Sequence, residues 1–256
     1  MVQTLAITGG KGGVGKTTIA VNMAVLLARL GEKTLLLDAD FGMANSHILC
    51  GVNAEMTVED FLEDKKSLED IIYSTPYGLD LLPGGTGSSS ILDISTNQRG
   101  NIIRASHDAV QNYDYLVIDV PAGASEASLD FCAASERLIV VLMGEPTSFM
   151  DAYSLIKSAN LDLGLEHFGV IVNQASSKLN GEALFNKFKN ITDKFLSVNQ
   201  TYLGYLPNSD LIRKSIVTRT PLMASKKATI EESCFNEIIK NLKILPANSF
   251  SGLKFY

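Results

Sequence analysis

The chain contains 256 residues, of which 46% are hydrophobic and 20% are charged. This composition is typical of a folded domain with a buried core, and it excludes a mostly disordered or collagen-like chain. The formal net charge is −6, with 22 Lys and Arg residues against 28 Asp and Glu residues. Because an acidic chain argues against a broad nucleic-acid-binding face, we do not expect DNA to be a partner.

The sequence shows no signal for export or membrane insertion. It enters a strand-like run at residues 2–8 without a basic stretch or a cleavable apolar segment. No apolar run approaches the roughly 20 residues that a membrane-spanning helix needs. The three cysteines are far apart and form no CxxC pair, so neither a disulfide framework nor a zinc site is predicted. These features predict a cytoplasmic protein.

Short runs rich in β-branched residues and leucine alternate with longer helical patterns along the chain. Several runs are apolar at consecutive positions, as expected of parallel strands covered on both faces. The alternation predicts an α/β fold with a doubly wound, mostly parallel sheet and helices on both faces. We expect one domain over residues 1–245, with a long loop at 83–90, and a tail at 246–256. The predicted strands are residues 2–8, 34–38, 78–82, 115–120, 137–143, 167–173 and 202–206.

A glycine-rich segment, GKGGVGKT at residues 10–17, follows the first predicted strand. It matches the phosphate-binding pattern G-x-x-x-x-G-K-[ST] and precedes a helical run at 18–30. Glycines in such a loop let backbone N–H groups surround phosphate oxygens, and the next helix presents its positive end. We expect Lys16 to reach the outer phosphates and the Thr17 hydroxyl to hold Mg²⁺. A chance glycine-rich turn is the alternative, but the flanking strand and helix argue against it.

Acidic residues stand at the ends of two predicted strands. Asp38 and Asp40 are two positions apart with one residue between them, and only one of them can face the phosphate directly; both could instead cap the next helix. Asp119 ends a second strand, in the place of a carboxylate that contacts Mg²⁺, usually through water. Gly123 would let a main-chain N–H approach the γ-phosphate, unless this segment is a plain strand-to-helix turn.

Lys11 is a second lysine that the ordinary phosphate-loop pattern does not require. The string KGGVGKTT at residues 11–18 resembles the deviant Walker A motif of the MinD/ParA family of P-loop ATPases, and the resemblance covers nearly the whole chain. It implies ATP and Mg²⁺ as cofactors and slow, partner-stimulated ATP hydrolysis. In that family the extra lysine crosses the interface of an ATP-dependent homodimer to the partner's nucleotide.

The resemblance also implies roles for individual residues. Lys11, Lys16 and Asp40 are the expected catalytic residues, with Asp40 positioning the attacking water and Asp38 in support. Asn173 is expected to read the adenine edge; without the resemblance it would pass for an ordinary turn residue. Thr17, Asp38 and Asp119 are the expected magnesium residues. The expected nucleotide-binding residues are Gly10, Lys11, Gly12, Gly13, Val14, Gly15, Lys16, Thr17, Thr18, Gly123, Asn173 and Pro207.

Within the family, several segments resemble the flagellar-number regulators FlhG and FleN. These are DADFGMAN at 38–45, GEPTS at 144–148 and DAYSLIK at 151–157. The resemblance implies control of flagellar number or placement, with partners such as an FlhF-type GTPase, switch-complex proteins or a FleQ-type regulator. The VPAG segment at 120–123 is closer to the cell-division regulator MinD. A division-site role and a ParA-type partitioning role are therefore alternatives.

The C-terminal region predicts a closing amphipathic helix. Thr229 and Glu232 form a capping-box pattern, and apolar residues then recur with helical spacing, which favours packing on the sheet. From residue 240 onward there are three lysines and no acid. The tail is therefore a candidate membrane-surface segment, as C-terminal amphipathic helices are in MinD and FlhG. Its large apolar residues are Phe250, Leu253, Phe255 and Tyr256.

A metabolic P-loop enzyme that uses ATP to activate a small substrate is a further alternative. Such an enzyme needs its own acid, base or nucleophile beside the phosphate loop. His47, His107 and His167 are isolated in the sequence, and no nucleophile–base spacing stands out. We therefore favour an ATP-dependent, dimerising switch.

Overall fold

The fold is described by a computed structural model, which covers residues 2–85, 94–225, 229–249 and 252–255. Within these residues one sheet has the strand order β3-β4-β2-β5-β1-β6-β7-β8. The pair β3–β4 is antiparallel, and every other neighbouring pair is parallel. The predicted doubly wound, mostly parallel sheet is thus confirmed. The strands are β1 (Gln3–Thr8), β2 (Thr34–Asp38), β3 (Tyr73–Ser74), β4 (Asp80–Leu82), β5 (Tyr115–Asp119), β6 (Arg137–Met143), β7 (His167–Ala175) and β8 (Asn199–Pro207).

Helices cover both faces of the sheet and create two apolar cores. Consecutive strand residues enter opposite cores: Leu36 belongs to the core that contains residues of α1 and α9, whereas Leu35 belongs to the core that contains residues of α4 to α7. This arrangement explains why the central strands are apolar at consecutive positions. The helices are α1 (Lys16–Arg29), α2 (Ser46–Leu49), α3 (Val58–Leu62), α4 (Thr96–Ala109), α5 (Glu126–Ala133), α6 (Pro146–Leu163), α7 (Lys178–Thr192), α8 (Asp210–Val217) and α9 (Ile230–Leu242).

The strand bounds differ from the prediction at the sheet's edges. Gly78 has a φ of 81° and lies in a turn closed by the N–H of Thr75 donating to the carbonyl of Leu79 at 3.0 Å. That turn makes β3 and β4 a short hairpin, so the predicted strand 78–82 begins only at residue 80. β3 was not predicted, because two residues carry no periodicity. In the predicted loop at 83–90, residues 86–90 lie outside the described part of the chain.

The closing helix packs on the sheet as predicted, but its cap differs from the capping-box expectation. The Thr229 hydroxyl accepts the N–H of Glu232 at 3.1 Å. The Glu232 carboxylate does not return to the cap; it pairs with Arg29 of α1 at 2.8 Å. This ion pair ties α9 to α1, and Phe235 and Ile238 on the inner face of α9 are fully buried.

The described tail residues lie against the domain. The Asn248 N–H donates to the carbonyl of Glu136 at 2.7 Å. Phe255 is fully buried and stacks on Phe131, with ring centroids 6.1 Å apart. Phe250 and Tyr256 lie outside the described residues. No helix in the described part of the chain is long and apolar enough to cross a membrane.

Candidate nucleotide-binding site

The loop between β1 and α1 presents an open helix N-terminus. Gly13 and Gly15 adopt left-handed conformations, with φ of 80° and 95°, which lets the chain curl before α1 begins at Lys16. No side chain caps this helix, and its first turn contains no acidic residue. The first N–H groups of α1 are therefore available to an anion, which the helix dipole also favours.

Two of the loop's glycines are required by close packing. A Cβ at Gly10 would lie 2.0 Å from the backbone carbonyl carbon of Asp151, because α6 passes directly against the loop. A Cβ at Gly15 would lie 2.4 Å from Nδ2 of Asn173 on β7. The loop is thus held between two elements that are distant in sequence, a constraint that the motif alone did not reveal.

A pocket of about 320 Å³ lies beside this loop. Seven residues of the predicted nucleotide set line it: Gly13, Gly15, Lys16, Thr17, Thr18, Asn173 and Pro207. The structure adds Gln174, Asn208, Ser209, Ile212, Arg213 and Ile216, most of them on α8 or just before it. Sequence reasoning missed these residues because no local pattern shows that α8 folds over the pocket. The one sequence feature that could have indicated these residues is Pro207 at the end of a strand, followed by Ser209, which caps the next helix.

Asn173 is fixed at the pocket wall by the phosphate loop. Its Nδ2 donates to the carbonyl of Val14 at 2.7 Å, and its Oδ1 accepts the N–H of Gln174 at 2.9 Å. A side-chain amide has a second proton and a second lone pair. Asn173 can therefore hold the loop and still offer one donor and one acceptor to a ligand. Its role in reading adenine stays a prediction.

Asp38 organises the loop that follows β2. It is fully buried. One carboxylate oxygen accepts the N–H of Asp40 at 3.2 Å, and the other accepts those of Asn45 and Ser46 at 3.0 and 2.9 Å. Burial raises the pKa of Asp38 to about 6, although the hydrogen bonds from Ser46 and Asp40 oppose the shift. These contacts fit the supporting role expected of Asp38.

Asp119 is buried beside the phosphate loop without a hydrogen-bond partner. Neither of its carboxylate oxygens has one among the described residues. Burial, and next the negative charge of Asp38, raises the pKa of Asp119 well above its usual range, while the nearby Thr17 hydroxyl and the positive charge of Lys16 act in the opposite direction. A buried carboxylate that lacks partners is costly, and a cation would satisfy it. The residues thus fit Mg²⁺, which is often held by one or two protein groups together with water and nucleotide phosphates.

Asp40 and Gly123 of the predicted switch segment do not line the nucleotide pocket. Asp40 lines a second cavity of about 310 Å³, together with Pro121. Gly123 has a φ of 86°, which explains the need for glycine, but its N–H donates to the carbonyl of Gly9 at 2.9 Å. That N–H is not presented to a phosphate here, and a contact with the γ-phosphate requires this hydrogen bond to break.

Lys11 is directed toward the N-terminal end of α6 of its own chain. Its Nζ lies 2.8 Å from Oε2 of Glu145 and 3.2 Å from Oγ1 of Thr147. The side chains of Lys11 and Glu145 are 34% and 54% exposed, so the ion pair is accessible to solvent. Exposed pairs of this kind contribute little free energy, which leaves Lys11 able to exchange partners.

The open helix N-terminus, the buried lysine of the loop and the unpartnered carboxylate at the end of β5 define a P-loop nucleotide-binding protein. Residues 5–222 match the CobQ/CobB/MinD/ParA nucleotide binding domain, and the chain belongs to this family. The predicted membership of the MinD/ParA ATPases is thereby confirmed.

The chain is similar to individual members of this family whose functions are named. The chain is 37% identical to the antiactivator FleN of Pseudomonas aeruginosa, over 100% of this chain and 92% of that protein. It is 33% identical to the flagellum site-determining protein YlxH of Helicobacter pylori, over 84% of this chain and 73% of that protein. Among solved structures, the septum site-determining protein MinD of Pyrococcus horikoshii, complexed with Mg-ADP, matches with a TM-score of 0.77 and 25% identity, covering 94% of this chain and 96% of that one.

Proposed function

We propose that this protein is a slow, partner-stimulated ATPase that is monomeric without ATP and dimeric with it. The observation that carries the proposal is the buried, unpartnered carboxylate of Asp119 beside an uncapped phosphate loop. A buried carboxylate next to an open phosphate loop is suited to a magnesium-bound nucleotide. Without the ion, ionisation of this buried carboxyl is costly.

The proposed chemistry assigns one task to each side chain. Lys16 and the N–H groups at the start of α1 bind the outer phosphates. Thr17 and Asp119 would hold Mg²⁺, which would supply positive charge beside the phosphates. Asp40 orients the attacking water, and Asp38 holds the backbone of the Asp40 loop through three hydrogen bonds.

The contacts of Lys11 support a dimer in which this lysine changes partner. In the single chain it reaches Glu145 and Thr147 of its own α6. A phosphate of a facing subunit carries more negative charge than one exposed carboxylate and accepts hydrogen bonds from Lys equally well. Lys11 would therefore leave Glu145 when an ATP-bound copy docks, and this exchange makes association depend on ATP.

The ATPase proposal is tested by steady-state hydrolysis and equilibrium binding with wild type, Lys16→Ala and Asp40→Ala. We expect Lys16→Ala to lose ATP binding. Asp40→Ala should keep ATP affinity within about twofold and lose at least about tenfold in turnover, because only the positioning of water is removed. Normal turnover in Asp40→Ala would show that Asp40 does not position the water.

We further propose that the switch controls flagellar number or placement. The similarity to FleN spans this whole chain, and YlxH is a second flagellar relative. The test is to delete the gene in the source organism and complement it with wild type or Asp40→Ala, counting flagella per cell. Altered flagellation that only wild type corrects supports the proposal. Normal flagella with misplaced septa would support the division role instead, which the VPAG segment and the MinD structure favour.

The tail is proposed as the region through which the dimer could touch a membrane surface. Lys240, Lys243 and Ile244 are exposed near the end of α9, and Leu253 is 43% exposed. Two copies of this weak segment bind more tightly than one, so contact would follow dimerisation. Sedimentation with vesicles containing phosphatidylglycerol, in ADP and in ATP, tests this: no ATP-dependent binding would remove the membrane from the proposal.

A further inference from the structure

A groove between α8 and the segment 220–225 is separate from the nucleotide pocket. Its volume is about 220 Å³, and its lining includes Leu211, Lys214, Thr218, Pro221 and Leu222. The residues that line the nucleotide pocket come from other faces of α8, and the two cavities share no lining residue. The function proposed above makes no use of this groove.

Exposed apolar residues lie in the groove and at positions next to it in the sequence. Leu211, which lines the groove, is 45% exposed. Val217 of α8 and Ile230, which follows the lining residue Thr229, are 81% and 69% exposed. Single exposed apolar residues are normal in proteins, but apolar residues gathered around a concave groove mark an interaction site. A concave groove accepts a protruding side chain, whereas a membrane surface offers no such projection.

The segment that forms most of the groove has a net positive charge, opposite in sign to that of the chain. Residues 211–225 contain Arg213, Lys214 and Arg219 and no acidic residue, in a chain whose net charge is −6. Arg213 is engaged by Asp210 and Asn208. The side chains of Lys214 and Arg219 form neither an ion pair nor a hydrogen bond within the described part of the chain. Two cations thus remain available to a negatively charged partner.

The two acidic residues that follow the groove-lining residue Thr229 by two and three positions in the sequence are already occupied. Glu231 accepts a hydrogen bond from the Ser209 hydroxyl at 2.5 Å, and Glu232 pairs with Arg29. These carboxylates therefore do not neutralise Lys214 or Arg219. An acidic ligand would meet uncompensated positive charge here, which favours its approach and its specific orientation.

We propose that this groove binds an acidic segment of a partner protein, with one large apolar side chain of the segment inserted between α8 and residues 220–225. Carboxylates on either side of that side chain pair with Lys214 and Arg219. The apolar insertion supplies binding energy, and the charge pairs set the orientation. A nucleic acid would satisfy the two cations but leave the exposed Leu211, Val217 and Ile230 unburied.

The probe is a set of fluorescein-labelled synthetic peptides, each with a central Leu or Phe flanked by Asp and Glu at permuted positions. Matched peptides carry Lys at every acidic position. Fluorescence anisotropy measures binding to wild type, Lys214→Glu, Leu211→Ser and Val217→Ser. The control variants are Lys157→Glu and Leu179→Ser, at exposed positions on α6 and α7. Unchanged ATP affinity shows that each variant is folded, because the groove shares no residue with the nucleotide pocket.

We expect acidic peptides to bind wild type, the lysine-substituted peptides not to bind, and each groove variant to weaken binding by about tenfold or more. The control variants should change the affinity by less than about twofold. Equal binding of the acidic and basic peptides, or equal losses in the control variants, would overturn the proposal. So would a result in which Lys214→Glu and Leu211→Ser abolish binding to phosphatidylglycerol vesicles or duplex DNA and leave peptide binding unchanged.

Discussion

Asp38 and Asp119 lie directly opposite each other on the neighbouring parallel strands β2 and β5, at the residue where each strand ends. Both carboxyl groups are buried, and neither forms an ion pair among the described residues. Burial is the main reason that the pKa of each is raised; the negative charge of Asp38 adds to the shift of Asp119, and the negative charge of Asp40 adds to the shift of Asp38. This relationship places a site for positive charge next to the phosphate loop.

The raised pKa values predict that the nucleotide-free protein loses stability from this pair as pH rises from about 4 to about 7. In this range the native carboxyl of Asp38 keeps a proton that the unfolded chain has released, so deprotonation favours unfolding. Asp119→Asn removes one of the two charges. We expect the free energy of unfolding of the variant, relative to wild type, to be higher at pH 7 than at pH 5, because the variant has no Asp119 carboxyl to deprotonate. Urea unfolding at both pH values measures this difference; a pH-independent difference would contradict the account.

The packing of the phosphate loop predicts different costs for two glycine substitutions. In Gly13→Ala the added methyl group has no close neighbour, and only the left-handed φ is unfavourable. This substitution should lower the free energy of unfolding by about 1 kcal/mol. Gly15→Ala adds a clash with Nδ2 of Asn173 and should cost about 1–3 kcal/mol more. The double variant Gly15→Ala/Asn173→Ala should recover most of that extra loss in urea unfolding. Equal losses in the two single variants would show that the loop does not press on Asn173.

The ion pair of Lys11 predicts that breaking it promotes dimerisation. Glu145→Gln removes the ion pair and leaves Lys11 only its contact with Thr147, so the ATP-dependent association constant should rise about two- to fivefold in an Asp40→Ala background. Glu237→Gln breaks a comparable exposed pair, with Lys178, that does not involve the phosphate loop, and should have no effect. Sedimentation equilibrium measures both constants. Weaker association of Glu145→Gln would mean that Glu145 itself belongs to the dimer interface.

The burial of Phe255 predicts that removing its ring destabilises the protein. Phe255→Ala should lower the free energy of unfolding by about 2–4 kcal/mol, because the ring is fully buried against Phe131. Leu253→Ala, at a position that is 43% exposed, should cost less than about 1 kcal/mol. Urea unfolding distinguishes the two. If both variants match wild type, the tail does not pack on the domain in solution.

Much of the fold could be predicted because the sequence repeats one local pattern. Apolar strands such as β5 and the glycine loop before α1 are encoded within a few neighbouring residues, and both lie where they were predicted. The acids at strand ends were also visible, since parallel strands end at one edge of a sheet. The register of β2 and β5, which places Asp38 opposite Asp119, could be read only from the structure of the sheet.

The features that sequence reasoning missed depend on contacts between distant segments. Lys11 and Glu145 are 134 residues apart, and no local pattern indicates that their side chains meet. Arg213 lines the nucleotide pocket because α8 folds over it. The partner of Glu232 is Arg29 of α1, which lies outside any capping motif. The roles of Asp40, Gly123 and Pro207 in nucleotide chemistry stay predictions.

The most direct test of the switch is the molar mass of wild type and Asp40→Ala in solution, measured by light scattering in ADP and in ATP with Mg²⁺. The account predicts a monomer in ADP for both proteins and a doubled mass for Asp40→Ala in ATP, because this variant binds the nucleotide without consuming it. Lys11→Ala in the same background should remain monomeric. A mass that does not change with the nucleotide would contradict the switch.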